Sequence, residues 1–161
     1  MEQLFIKMME FYSGTPKQIQ HFTKVHSFAR LIGRQEQLDP KTLQILEIAA
    51  IVHDIGIKPA MEKHGTGSGK YQELEGPPVA EQMLKELDYP ADIIERVCFL
   101  VGHHHTYDNI TGADYQILVE ADFLVNMYEG GMKEENIKTI LDKIFRTGTG
   151  IRCCTLMFDI S

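Results

Sequence analysis

Helical periodicity runs through almost the whole chain and constrains its fold more than any other feature. Apolar residues recur at spacings of three and four along successive segments, which is typical of amphipathic α-helices packed against a core. Two clear start signals, Thr15-Pro16 and Asp39-Pro40, each place a capping residue before a proline at the first helical position. No convincing pair of strands or internal repeat interrupts the pattern. The sequence therefore predicts an all-α bundle of about seven or eight helices.

Proline and glycine punctuate the predicted helices. The predicted ranges are 2–12, 16–37, 40–57, 77–87, 90–103, 114–128 and 133–145. Residues 65–69 are rich in glycine and are predicted to form a flexible loop. Residues 155–158 are predicted to form either a short strand or a docking helix.

Length and charge exclude several classes of protein. A chain of 161 residues is most simply one domain that buries about 70% of its unfolded surface. Its net charge of −7 disfavours binding to a nucleic-acid backbone. No segment approaches the roughly 20 apolar residues that span a membrane, and no signal peptide is recognisable at the start. We therefore expect a cytoplasmic protein that does not bind membranes.

The three cysteines are expected to be ordinary reduced thiols. Cys98 stands alone, while Cys153 and Cys154 are adjacent, a spacing that suits neither a zinc site nor an easy disulfide. An odd number of cysteines also argues against a disulfide framework.

An adjacent imidazole and carboxylate, His53-Asp54, stand within the otherwise apolar run 49–58. Burying two such side chains without a charge partner costs several kcal/mol. A divalent metal ion is the simplest cation that compensates for this cost. The pair therefore directs attention to other residues able to bind a metal.

Three further positions bring metal-competent side chains into or beside apolar stripes: His26, the histidine triplet 103–105, and Asp122. Each has an ordinary structural alternative. His26 is explicable as a hydrogen-bonded core histidine, and Asp54 as a turn cap. Asp122 is explicable as an acceptor for backbone amides, and the triplet as positive charge at a helix C-terminus. Together these alternatives require several coincidences, whereas side chains from separate helices commonly build one metal site in a bundle. Imidazole and carboxylate suit Mn, Fe, Co, Ni, Zn or Mg.

The order His26, His53, Asp54, Asp122 resembles the signature of the HD-domain phosphohydrolase superfamily. The segment His53-Asp54-Ile55-Gly56 is similar to the HDIG variant of that motif. The resemblance covers about residues 20–128 of a single HD-like domain that we assign to residues 1–161. It implies an all-helical fold, one or two divalent metal ions, and usually phosphoester hydrolysis.

The resemblance leaves a second metal ion open. Binuclear members carry further histidines between the HD pair and the last aspartate, and Glu75 stands here where one of them falls. Its oxygen is able to bind a metal, and the alternative is a solvated acid near a helix N-terminus. Adjacent helical residues point about 100° apart, so the whole triplet cannot face one ion. We favour His103 and His104 as ligands, with His105 nearer the substrate.

The resemblance also suggests how the site acts. Lys58 follows the motif where similar proteins often carry a lysine that contacts phosphate, and the alternative is a solvated loop lysine. His64 is either a lid residue or an incidental surface histidine. Asp54 is expected to be a bridging or primary ligand, and Asp122 to close the shell and to hold or deprotonate the attacking water. Metal-activated water then cleaves the phosphoester.

The leading hypothesis is a metal-dependent phosphohydrolase that acts on a small phosphoester, with a nucleotide among the candidates. The alternatives are a catalytically silent metal or nucleotide sensor, a dinuclear iron oxygenase, and a metal-free helical interaction module. An apolar docking surface near the termini would also allow a homo-oligomer, and its residues are Met8, Met9, Met157 and Phe158.

Overall fold

Nine α-helices and one short 3₁₀ helix form most of residues 1–160, the part of the chain that this computed structural model describes. They are α1 (Glu2–Phe11), α2 (Pro16–Gln35), α3 (Pro40–Val52), the 3₁₀ helix (His53–Gly56), α4 (Ile57–His64), α5 (Gly69–Glu86), α6 (Ala91–Val101), α7 (Ala113–Glu129), α8 (Glu134–Ile144) and α9 (Gly148–Phe158). These residues contain no strand, so the all-α prediction is confirmed and residues 155–158 are helical.

Both start signals at proline lie where the sequence predicts them. Pro16 and Pro40 open α2 and α3, and the Asp39 carboxylate accepts hydrogen bonds from the backbone amides of Lys41 and Thr42. The start predicted at Pro77 is wrong, because α5 begins at Gly69 and carries its prolines inside. Packing of α5 against neighbouring elements overrides the local preference that proline expresses.

The core lies between α2, α3 and α7, while α5 packs against α6 and the 3₁₀ helix. The contact of the 3₁₀ helix with α5 requires glycine at position 56. A Cβ atom there would lie 2.3 Å from the Gln72 carbonyl oxygen and 2.9 Å from the Gly76 nitrogen. Close approach of the two backbones thus fixes the 3₁₀ helix on α5 and, with it, the orientation of His53 and Asp54.

One residue of the predicted docking surface is buried in the core, and a buried carboxylate holds the last helix. Met8 is fully buried in the core, so it is not part of an exposed surface near the termini. Glu120 on α7 is also fully buried, and its carboxylate accepts hydrogen bonds from the amides of Arg146 and Thr147 just before α9. This contact attaches the last helix to the core.

The three cysteines are free thiols, as predicted. Among the described residues, no helix combines the length and apolarity required to cross a membrane.

Candidate metal centre

Buried imidazoles and carboxylates from four parts of the fold meet at one end of the core. His53 and Asp54 come from the 3₁₀ helix, His21 from α2, and Asp122 from α7. His104 comes from the turn that follows α6. Each of the five is at least nine-tenths buried.

Four of these side chains point their ligand atoms at one small space. The Nε2 atom of His21 lies 3.3 Å from Nε2 of His53 and 3.1 Å from Oδ1 of Asp122. Both imidazole nitrogens also face Oδ2 of Asp54, at 3.5 Å and 3.7 Å. Ligands bound to one ion at about 2.1 Å are separated by roughly 3.0 Å in an octahedron and 3.4 Å in a tetrahedron. The distances of the two imidazole nitrogens to each other and to the two carboxylates therefore match a metal coordination shell.

The hydrogen bonds of the imidazoles direct their lone pairs into the centre. Each Nδ1 atom has an acceptor: the Glu129 carboxylate for His21 (3.1 Å), the Ala50 carbonyl for His53 (3.0 Å) and the Val101 carbonyl for His104 (2.9 Å). Because an acceptor requires a hydrogen on Nδ1, the neutral rings carry their lone pairs on Nε2. Two lone pairs that face each other, as in neutral His21 and His53, require a proton or a metal ion between them. Nε2 of His104 is buried and has no hydrogen-bond partner.

A second group of ligand atoms shares Asp54. Its Oδ1 atom lies 3.5 Å from Nε2 of His104, while Oδ2 faces the first group. Asp54, His104 and His105 offer ligand atoms within 4.8 Å of one another. The donor set is therefore suited to one divalent ion or to two ions bridged by Asp54.

The charges of the centre also fit a bound cation. Burial opposes ionisation of Asp54, but the charge of His53 and the nearby imidazole of His104 lower its pKa. The pKa of Asp122 is likewise lowered, against burial, by hydrogen bonds from His21 and His53. Burial favours the neutral form of His21, yet the two carboxylates raise its pKa to about 9. Without a metal, protons supply the positive charge that two buried carboxylates require.

Metal binding is expected to release protons and to tighten as pH rises. His21 is protonated below its raised pKa of about 9, whereas a metal ion binds only the neutral imidazole. Apparent affinity for Mn²⁺ should therefore increase by roughly tenfold per pH unit for each displaced proton, and level off above pH 9. Calorimetry in buffers of different ionisation enthalpy counts the protons; a pH-independent affinity would contradict this arrangement.

His26, predicted as the first ligand, lies outside the centre, and His21 takes its place. The His26 ring packs edge-on against Phe5 with centroids 4.9 Å apart, and its Nε2 lies 3.6 Å from the Glu47 carboxylate. Five residues along a helix rotate a side chain by about 140°, so His21 and His26 face different neighbours. A signal for His21 exists in the sequence, because Gln18, His21 and Val25 form a second stripe at helical spacing.

Glu75 also lies outside the centre. Its carboxylate forms an ion pair with Lys63 and accepts a 2.8 Å hydrogen bond from Nε2 of His64. His64 in turn stacks on Tyr71, so it is neither a lid over the centre nor an unattached surface residue. Glu75 has these partners because α4, a helix that was not predicted, brings Lys63 and His64 over α5.

Of the two triplet histidines favoured as ligands, His104 faces the centre, whereas His103 does not and His105 does. His103 stacks on Phe99 at 4.2 Å and places Nδ1 2.7 Å from the Phe99 carbonyl. His104 and His105 face Asp54 instead. Since α6 ends at Val101, the triplet follows turn geometry and the helical 100° rule does not apply to it.

A cavity of about 210 Å³ opens onto the centre. It is lined by Lys17, Gln18, His21, Asp54, Ile57, Gln72, His105, Asn126 and Glu129. Lys58 is not among these residues; its Nζ atom lies 3.5 Å from the Phe11 carbonyl and 5.1 Å from the centre of the Phe11 ring. Lys17 is the lysine that lines this cavity.

Two amide side chains of the cavity hold the carboxylates in place. Gln18 donates a 2.8 Å hydrogen bond to Oδ2 of Asp54, and Asn126 donates one of 2.8 Å to Oδ1 of Asp122. Such outer partners orient metal ligands and account for much of the affinity of a site.

Comparisons with known proteins give a family and a fold. The sequence pattern of the HD domain matches residues 19–146. Among solved structures, the chain is similar to the crystal structure of a predicted HD superfamily hydrolase from an uncultured Thermotogales bacterium, with a TM-score of 0.71 and 22% sequence identity. That similarity covers 99% of this chain and 85% of the other and shows a shared fold. Curated proteins give no match.

Proposed function

Because this chain belongs to the HD-domain family, we propose that it is a metal-dependent phosphohydrolase that cleaves a small phosphoester. The observation that carries the proposal is the meeting of His21, His53, Asp54 and Asp122 at ligand spacing beside a cavity. A mixed imidazole and carboxylate set suits a borderline or hard divalent ion such as Mn, Fe, Co, Ni, Zn or Mg.

A divalent ion held by these groups supplies positive charge to the phosphoryl oxygens and lowers the pKa of water. The protein's own residues prepare the site. Asp122 accepts a hydrogen bond from the attacking water, while Asn126 keeps its carboxylate oriented. Gln18 does the same for Asp54. Lys17 at the cavity offsets the negative charge of the phosphoester, which the acidic surface otherwise repels.

The size and lining of the cavity support a small, hydrophilic substrate. A volume of about 210 Å³ holds a phosphate group with a few attached atoms. The lining is polar apart from Ile57 and the aliphatic parts of longer side chains.

The experiment is elemental analysis of the purified full-length chain, followed by a panel of phosphoesters assayed with the metal found. Bound metal together with hydrolysis of at least one small phosphoester supports the proposal. Metal-loaded protein without turnover would instead favour a silent sensor. Oxygen uptake with the absorption of a di-iron centre would favour the oxygenase.

Lys17→Met is expected to raise KM for the phosphoester by roughly tenfold, because it removes a charged contact to phosphate. Metal content should be unchanged. Lys58→Met is the matched comparison, since Lys58 packs on Phe11 away from the cavity, and its KM should stay close to that of the original protein. A larger effect from Lys58→Met than from Lys17→Met would show that the sequence-based assignment of Lys58 is the better one.

A further inference from the structure

Gln72 contacts the second group of ligand atoms without belonging to it. We propose that Gln72 weakens binding of a second metal ion, because its side chain holds a hydrogen on Nε2 of His105, the ring nitrogen on the side of the cavity that Gln72 and Asp54 line. The inference rests on the proposed metal centre, but it does not depend on which substrate the protein cleaves.

The orientation of the Gln72 amide is fixed by its own hydrogen bond. Gln72 is buried, and its Nε2 atom lies 2.7 Å from the Gly67 carbonyl oxygen. A carbonyl only accepts hydrogen bonds, so the amide nitrogen faces Gly67. The amide oxygen, Oε1, then faces Nε2 of His105 at 3.3 Å.

This orientation assigns the hydrogen on His105. An amide oxygen cannot donate, so Nε2 of His105 carries the hydrogen and donates it to Gln72. The other ring nitrogen, Nδ1, lies 3.3 Å from the Tyr107 hydroxyl, which is able to donate to it. The ring lies close against Gly69, where an added Cβ atom would stand 2.8 Å from its Cγ atom. Both ring nitrogens of His105 are therefore engaged within the protein.

The two groups of ligands therefore differ in how freely their atoms can bind a metal ion. In the first, the Nε2 atoms of His21 and His53 face each other and the carboxylates of Asp54 and Asp122, which are members of the same set. In the second, only Asp54 and His104 are ready, since His105 must first move its hydrogen and lose Gln72.

Glu75 does not replace His105 as a ligand, because it is paired with Lys63 and His64. We expect the first ion to bind tightly and the second weakly.

Gln72→Met tests the inference, because methionine has a similar length and shape but offers His105 only a weak sulfur acceptor in place of the amide oxygen. Full-length protein is dialysed against buffers of defined free Mn²⁺, and bound metal per chain is measured by elemental analysis. Electron paramagnetic resonance distinguishes isolated from coupled Mn²⁺ ions. The variant should bind the second ion roughly tenfold more tightly, with affinity for the first unchanged. Gln82→Met, an exposed change on the same helix, is the control and should leave both affinities unchanged.

A second measurement needs no variant. Long-range ¹H–¹⁵N NMR of the original protein, metal-free and with limiting Zn²⁺, reports which ring nitrogen of His105 carries hydrogen. Hydrogen on Nε2 in both samples supports the inference. Hydrogen only on Nδ1, or two Mn²⁺ ions bound with equal affinity by the original protein, would overturn the role of Gln72 while leaving the proposed hydrolase intact. Protein that binds no metal would overturn both.

Discussion

Asp54→Asn is expected to abolish tight metal binding and to lower hydrolysis by more than roughly a hundredfold. The two oxygens of Asp54 face both groups of ligands, so this carboxylate is common to every metal-binding arrangement that the structure offers. An amide presents one oxygen and removes the negative charge that faces His21 and His53. Since loss of an outer partner alone costs 10–100-fold in metal affinity, loss of this ligand should cost more.

Asp92→Asn is the matched control. Asp92 is an exposed carboxylate on α6 that pairs with Lys41, away from the cavity. The Asp92→Asn variant should retain metal and activity. Circular dichroism checks that both variants fold. Stoichiometric metal or undiminished turnover in the Asp54 variant would refute the role assigned to this residue.

His21→Gln is expected to weaken metal binding, whereas His26→Gln is expected to leave it unchanged. His21 contributes Nε2 to the first group and is held there by Glu129 and Asp122. Its replacement should lower metal affinity by at least about a hundredfold and activity with it. His26 packs against Phe5, so His26→Gln should keep the metal and instead lower stability by about 1 kcal/mol.

The pair of variants compares two histidines on the same helix that are both buried. Metal content is measured by elemental analysis, and stability by urea unfolding in the presence of metal. Retention of metal by the His21 variant together with loss of metal from the His26 variant would show that the sequence-based assignment of His26 was right and the register of α2 wrong.

Much of the fold was predictable because local signals and tertiary packing agree. The prolines of α2 and α3 start helices where the chain leaves a turn, and the apolar stripes of α2, α3 and α7 become the core. The prolines of α5 mislead because α5 packs against the 3₁₀ helix and begins at Gly69, well before its two prolines. Residues 57–64 form a helix that packs against α5 and the 3₁₀ helix.

Part of the centre was predictable for a different reason. His53, Asp54 and Asp122 are polar residues in sequences that are otherwise core, and such a conflict indicates a compensating group. The choice between His21 and His26 was not predictable from one stripe, because α2 is buried on more than one side. The partners of Glu75 and Lys58 depend on contacts between α4, α5 and α1 that no local pattern encodes.

The proposed function depends on one metal ion held between α2, the 3₁₀ helix and α7. The most direct measurement is anomalous scattering from a crystal grown with Mn²⁺ or Zn²⁺, recorded at the edge of that metal. We expect a strong peak at roughly 2.0–2.3 Å from Nε2 of His21 and His53 and from oxygens of Asp54 and Asp122. A crystal with no anomalous peak between these four side chains, at a metal concentration that saturates the protein in solution, would contradict metal binding at this site.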